Sequence, residues 1–474
     1  MFQFIRDLYR RHQKKLLITS GVAAISYLIS IYVRNKINEF QEQLKEENLT
    51  RDLIKKRFSQ TQKDCYMTFL SFLPVLVDPI FKELDVEEIT KELKLSRKNK
   101  NLINNDGKSE LNSEDLSSKQ EGSIVIENEG SNDNNNNNNN NNSISGIGKS
   151  KNELWQELKI KSLTRFLTLI YSETLFIILL HLQLNIISRK SYLKTALKLA
   201  SKKQSIKLID LEIEDNNNLN LNDKDLSEQA FLSFTWWLLN KGWIKLKDII
   251  NESVENVFNE INLRDEMNIE EFGKLLFEIQ KNIDNKLFEE RYDYELYDNI
   301  EINSNNNNDE SNNIKMIRLI SLILPSNSKD ELELLEKTNT MEFISKFNSN
   351  LVNSATLCKM NDELKGYLKS EQVNMISKTI SATGISVILE NVEQTLFLKQ
   401  ENKRRDKGEE GKGEGEEKGM LINEKWKLAF ILAVLTPQTQ ELANRRLDNK
   451  VLYMMNNVRE LDDLSASVYS NFDV

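Results

Sequence analysis

The chain is predicted to fold as an all-α protein, an elongated single-domain bundle of long helices with one N-terminal transmembrane helix. Three observations carry that reading. Proline is scarce, at 4 of 474 residues, and glycine is low, at 15, so few positions interrupt a helix. Leu, Lys, Glu and Asn abound, while alternating apolar and polar runs of the strand type are few. Apolar residues instead recur at threes and fours in block after block, the period of a helix with one packed face.

The bulk numbers set the bounds. With 39% hydrophobic and 29% charged residues the chain can build one large core or two ordinary ones. The net charge of -9 arises from basic residues interspersed with acids, and this argues against nucleic acid, whose phosphates need a positive footprint. Two cysteines, Cys65 and Cys358, and two histidines, His12 and His181, are too few and too far apart for a disulfide framework or a Cys/His zinc site. Both thiols are expected to be reduced and to serve as small core residues.

In chain order, residues 1–15 form a basic segment, MFQFIRDLYRRHQKK. Residues 16–33, LLITSGVAAISYLISIYV, then run without a charge for about 27 Å of helix, close to the thickness of a bilayer's hydrocarbon, and Arg34 and Lys36 close the span. No small-x-small cleavage site follows, so the segment reads as an anchor rather than a signal peptide. The charge rule by itself puts the basic terminus on the cytosolic side. Residues 36–73 continue as an amphipathic helix into CYMTFLSFLP, where Pro74 is expected to break the ladder, and short helices fit 77–84 and 86–95.

Residues 96–149 are dominated by Ser, Asn, Lys and Glu, with an unbroken asparagine run at 134–142, and are expected to be a disordered insertion. Three further insertions of this kind fall near 214–225, 303–313 and 399–419, leaving residues 34–474 as one helical domain decorated by loops. SISGIGKS at 143–150 lacks the first glycine of a phosphate-binding loop and follows no strand, so it is set aside.

The organising stretch is 150–187. Ser150 and Glu153 stand in capping-box order, and Trp155, Leu158, Phe166, Leu169, Phe176, Leu180, Leu184 and Ile187 share a face. The stretch is polar near its start and apolar all round after Phe166, so it is expected to be exposed at one end and central at the other. Glu173 and His181 inside it argue for a buried core helix over a second membrane span. Trp155 falls in the first turns, where a large aromatic is either sealed by neighbouring helices or left for a partner.

Helical patterns follow at 188–212, 226–258, 268–289, 315–325, 332–347, 351–368 and 380–398, and the chain ends with an apolar stretch at 426–450 and a last helix near 453–472. Of the adjacent Trp236 and Trp237, one must lie near the surface, since neighbours in sequence cannot share a helical face. No nucleophile elbow, zinc helix motif, kinase set or dinucleotide glycine pattern is present. No carboxylate pair stands out for acid–base work, and the weight shifts to a binding protein without cofactors.

A basic N-terminus, then LLITSGVAAISYLISIYV, CYMTFLSFLP, ELWQELKIKSLTR and LQLNII in that order resembles the peroxisomal biogenesis factor 3 (peroxin-3) family. The resemblance is close over the first 190 or so residues and looser at 226–258, 332–353 and 427–472. It implies a cytosolic helical domain tethered by one span in the peroxisomal membrane, with the N-terminus inside the organelle, opposite to the simple charge rule. It further implies a non-enzymatic docking receptor for the cargo-loaded chaperone peroxisomal biogenesis factor 19, whose N-terminal helix would enter a groove centred on Trp155 and bordered by Lys151 and Leu93. Phe430 departs from the family, some members of which have a basic residue there. The alternative is an organelle tether for inheritance or autophagy adaptors.

Overall fold

Every side chain from 162 to 183 is buried, the full circumference of a helix rather than one stripe of it. That helix, α3 (Lys151–Gln204), is the longest described, at 54 residues. The computed structural model describes residues 36, 51–105, 150–204, 226–288, 290–292, 315–406 and 424–471. The expected anchor at 16–33, the insertions at 214–225 and 303–313, and most of the other two insertions lie outside them.

Besides α3 the chain builds α1 (51–83), α2 (Val86–Asn105), α4 (Leu226–Ser233), a three-residue turn of helix α5 (Thr235–Trp237) and a π-helical turn at Leu238–Gly242. It continues with α6 (Trp243–Phe258), α7 (Ile269–Phe288), α8 (Arg318–Ile323), α9 (Ser328–Thr338), α10 (Met341–Ser349) and α11 (Leu351–Leu368). α12 (Glu371–Asp406), α13 (Leu428–Leu442), α14 (Lys450–Asn456) and α15 (Arg459–Ser470) complete the described helices. Four short strands are also present. β1 (Glu266–Met267) pairs antiparallel with β4 (Trp426–Lys427), and β2 (Glu290–Tyr292) with β3 (Lys315–Ile317). The chain divides into two compact units, Met1–Lys63 and Asp64–Val474.

The second unit is all-α as expected, and α3 lies at its centre, packed by α2, α6, α12, α13 and α15. Two described stretches, Arg51–Leu95 and Lys151–Leu193, are long and apolar enough to cross a membrane by length and composition. The apolar window of the second is wholly buried within the protein, which identifies it as the core helix that Glu173 and His181 implied. α1 contributes Phe69, Leu73, Leu76, Val77 and Ile80 to the same core.

Several local expectations are corrected. Pro74 does not end its helix: α1 runs through Pro74 and Pro79 and stops at Leu84 and Asp85. An interior proline costs roughly 3 kcal/mol. Leu73, Leu76, Val77 and Ile80, all nearly or fully buried on either side of it, offset that cost through packing. The insertion at 96 opens with helix to Asn105, and α12 extends eight residues past 398 to Asp406. The single helix expected at 332–347 is two, because Thr340 caps a new start, its Oγ accepting from Phe343 N–H at 3.3 Å. Cys65 is buried, with its thiol 3.9 Å from Leu180 O, but Cys358 is exposed, with Sγ 3.7 Å from Asp362. Trp237 is buried, and Trp236 is the half-exposed one of the pair.

The π-helical turn ends in a residue pressed against α8. A Cβ on Gly242 would stand 1.9 Å from the backbone oxygen of Leu322, so only glycine lets α8 approach this closely. Trp237 Nε1 donates to Ser321 O at 3.1 Å in the same contact.

Candidate functional site

The capping box at the head of α3 forms as read. Ser150 N–H donates to Glu153 Oε2 at 2.9 Å, and Glu153 N–H donates to Ser150 Oγ at 3.3 Å. Lys151, Asn152 and Glu153 are exposed, Leu154 is 6% exposed, and Trp155 is half-buried. The opening turns are therefore not uniformly solvated. Lys159, one turn after Trp155, is wholly buried and donates to Phe258 O at 2.7 Å and Ile261 O at 2.6 Å. An ammonium group at the carbonyl end of α6 complements the helix dipole and ties the head of α3 to α6. Burial holds its pKa below the ordinary value, against the nearby Asp265 carboxylate.

The other wall of the site is α2. Asp85 begins it, accepting from Glu88 N–H at 2.8 Å. Arg165 of α3, 1% exposed, then grips it with both guanidinium nitrogens on Glu87, at 2.6 and 3.0 Å. The same guanidinium reaches Leu84 O at 3.4 Å and lies 4.8 Å from the centroid of Phe81. Burial alone would push the Glu87 carboxyl up. The hydrogen bond and charge of Arg165 outweigh it and hold that carboxyl below the ordinary value.

With α2 pinned at this point, Ile89 and Leu93 meet Leu154, and Trp155 and Leu158 pack on them half-buried. This is a small apolar cluster separate from the main core. The structure thus brings Trp155 and Leu93 into one cluster, with the buried Ile89, Leu93 and Leu154 as the shelf on which the indole rests. Lys151 stands exposed on the same helical face as Trp155, one turn earlier. A large ring with one side on an apolar shelf and the other accessible, edged by a cation, is suited to holding an apolar anchor from another molecule.

Sequence reasoning missed Arg165, Glu87 and Lys159. The signal for Lys159 and Arg165 was a cation every turn or two inside a stretch otherwise turning apolar, which implies partners rather than solvent, whereas Glu87 stood among ordinary acidic residues. Phe430, the position that departs from the resemblance, is half-buried, and Lys399 of α12 lies 5.8 Å from its ring centroid.

The chain is similar to known proteins over nearly its whole length. A family model, Peroxin-3, matches residues 7–471. Peroxisomal membrane protein PEX3 of Komagataella phaffii is 43% identical over 480 residues, covering 100% of both chains. Peroxisomal biogenesis factor 3 of Debaryomyces hansenii is 32% identical over 488 residues and all of both chains. That of Saccharomyces cerevisiae is 28% identical over 99% of this chain and 97% of its own.

Proposed function

The chain belongs to the peroxin-3 family, and from that premise we propose that it is a docking receptor of the peroxisomal membrane in peroxisome biogenesis. Residues 16–33 anchor it as a single pass, and the helical domain, 34–474, faces the cytosol, where its thiols stay reduced. Its partner is the chaperone peroxisomal biogenesis factor 19 carrying newly made membrane proteins. The chaperone's N-terminal amphipathic helix lies against the head of α3, an apolar side chain seated on Trp155, with Lys151 at the edge and Leu93 beneath. The mechanism is binding, and no chemical step is needed.

One observation supports this reading above the others. Trp155 is the large aromatic of a satellite cluster, half-buried on Ile89, Leu93 and Leu154, and not one of the main core residues. Helix-in-groove recognition uses a few such anchors, and tryptophan is frequent among residues that dominate binding energy.

Titration of a labelled peptide of the chaperone's N-terminal helix against the full chain tests it. Trp155→Ala is expected to weaken binding by at least about 2 kcal/mol, roughly thirtyfold, with the unfolding transition within about 1 kcal/mol of the parent. Unchanged affinity in a folded Trp155→Ala variant places the chaperone elsewhere.

A further inference from the structure

A second furrow lies on another part of the second unit, between α7 and α12. It has a volume of about 490 Å³, and Ile269, Gly273 and Phe277 of α7 face Leu389 of α12 across it. Ile269, Gly273 and Phe277 are spaced by four, so they line one edge of α7. Phe277 is 67% exposed, the most exposed phenylalanine among the described residues.

Gly273 is the informative residue. Glycine inside a helix costs about 1 kcal/mol against alanine. A Cβ there would meet only Leu389 Cδ1, at an ordinary 3.6 Å, so the chain's own packing does not require its absence. Gly242 makes the contrast, since there a backbone oxygen leaves no room. What the missing side chain at 273 does provide is a depression between Ile269 and Phe277.

The furrow is edged by charge. Glu270, Glu390 and Glu393 line it against one cation, Lys274. Lys274 is already paired with Glu270 at 2.8 Å, and Glu390 is 3.4 Å from Lys450. Glu393 has no cation within ion-pair distance among the described residues. An apolar floor with a surplus of carboxylates on its edge repels an anionic lipid surface and favours a cationic occupant.

We propose that the α7–α12 furrow is a second docking site, for an amphipathic helix of a partner protein that sets an apolar side chain over Gly273 against Phe277 and Leu389 and a Lys or Arg beside Glu393. It is independent of the Trp155 site and goes beyond the receptor reading.

Two fluorescent peptides that share one leucine stripe, one flanked by lysine and arginine and the other by glutamate, are titrated against the full chain in nanodiscs of neutral lipid. The basic peptide is expected to bind at least tenfold more tightly than the acidic one. Phe277→Ser and Gly273→Leu should each weaken it tenfold or more. Glu393→Lys should narrow or reverse the preference between peptides, and Trp155→Ala should leave it unchanged. Thermal unfolding of each variant establishes that it is folded. Phe277 and Glu393 are exposed, so their variants keep the test valid if Gly273→Leu does not fold. No binding of the basic peptide, equal binding of both peptides, loss of binding in Trp155→Ala alone, or insensitivity to Phe277→Ser overturns the proposal. So does sedimentation showing a dimer that Phe277→Ser abolishes, because the occupant would then be a second copy.

Discussion

The bidentate contact between Arg165 and Glu87 is expected to respond asymmetrically to removal of its two ends. Arg165 is 1% exposed, whereas the Glu87 side chain is 41% exposed. Glu87→Gln removes the counter-charge and one of the two acceptor oxygens, leaving a buried guanidinium with one amide oxygen, the Phe81 ring and the Leu84 carbonyl. Breaking a fully buried pair costs about 3–5 kcal/mol and a surface pair about 0–1, so a half-screened pair falls near 2 kcal/mol. Arg165→Met fills the same space without a charge and lets Glu87 turn to water, at a cost of about 1 kcal/mol or less. The double variant should resemble Arg165→Met alone. Urea unfolding of the full chain, in matched detergent at pH 7, supplies the four stabilities of the cycle. Acidification gives a second reading. The folded carboxyl titrates below its ordinary value, so the stabilisation is present above that value, near 4.5, and is lost as pH falls through the folded pKa. Parent and Glu87→Gln curves should therefore converge in acid. A larger loss in Arg165→Met than in Glu87→Gln, or coupling below about 0.5 kcal/mol, refutes the idea that this contact pins α2.

Other consequences can be measured in the same preparation. Glu173 is fully buried, neither of its oxygens has a hydrogen-bond partner, and burial pushes its carboxyl well above the ordinary value. Glu173→Met should raise stability at pH 7 by about 2 kcal/mol. That gain should shrink toward acid, because only above the unfolded carboxyl's value does the parent's unfolded state gain by releasing a proton. His181 is buried between Ser465 Oγ at 2.9 Å and Asn456 Oδ1 at 3.1 Å, and burial lowers its pKa to about 4. The parent should lose stability, by up to about 3 kcal/mol, as pH falls from 6.5 to about 4, because the unfolded state takes up the proton first. His181→Gln should flatten that part of the profile. Gly242→Ala should cost about 1–3 kcal/mol or more in unfolding experiments, since its Cβ collides with Leu322 O.

How far the sequence could be read depended on the range of each interaction. The helical class, the buried course of α3 and the capping box at Ser150 and Glu153 are written in local periodicity and short spacings, and all three appear in the structure. The break at Pro74 was misjudged because the cost of proline is local, while the burial of Leu73 and Leu76 that offsets it comes from distant helices. Cys358 was misplaced for a related reason: its apolar neighbours Leu357 and Met360 are buried, but it projects from another side of α11. At the site, Trp155 was visible as an aromatic in an otherwise polar turn. The clasp that holds the shelf under it was not, because Glu87 and Arg165 are 78 residues apart and only the fold sets them side by side.

Along the roughly 80 Å of α3, polar side chains engage a different neighbour at nearly every level. Lys159 meets the end of α6, Arg165 meets α2, and Tyr171 donates to Asp284 of α7. Gln183 donates to Phe231 O of α4, and Arg189 bonds both Glu363 of α11 and Val468 O of α15. Leucine tolerates a slipped partner, but these groups do not. The helix thus acts as a notched ruler: deleting one residue from its middle would swing every later notch by about 100 degrees and leave buried charges facing hydrocarbon.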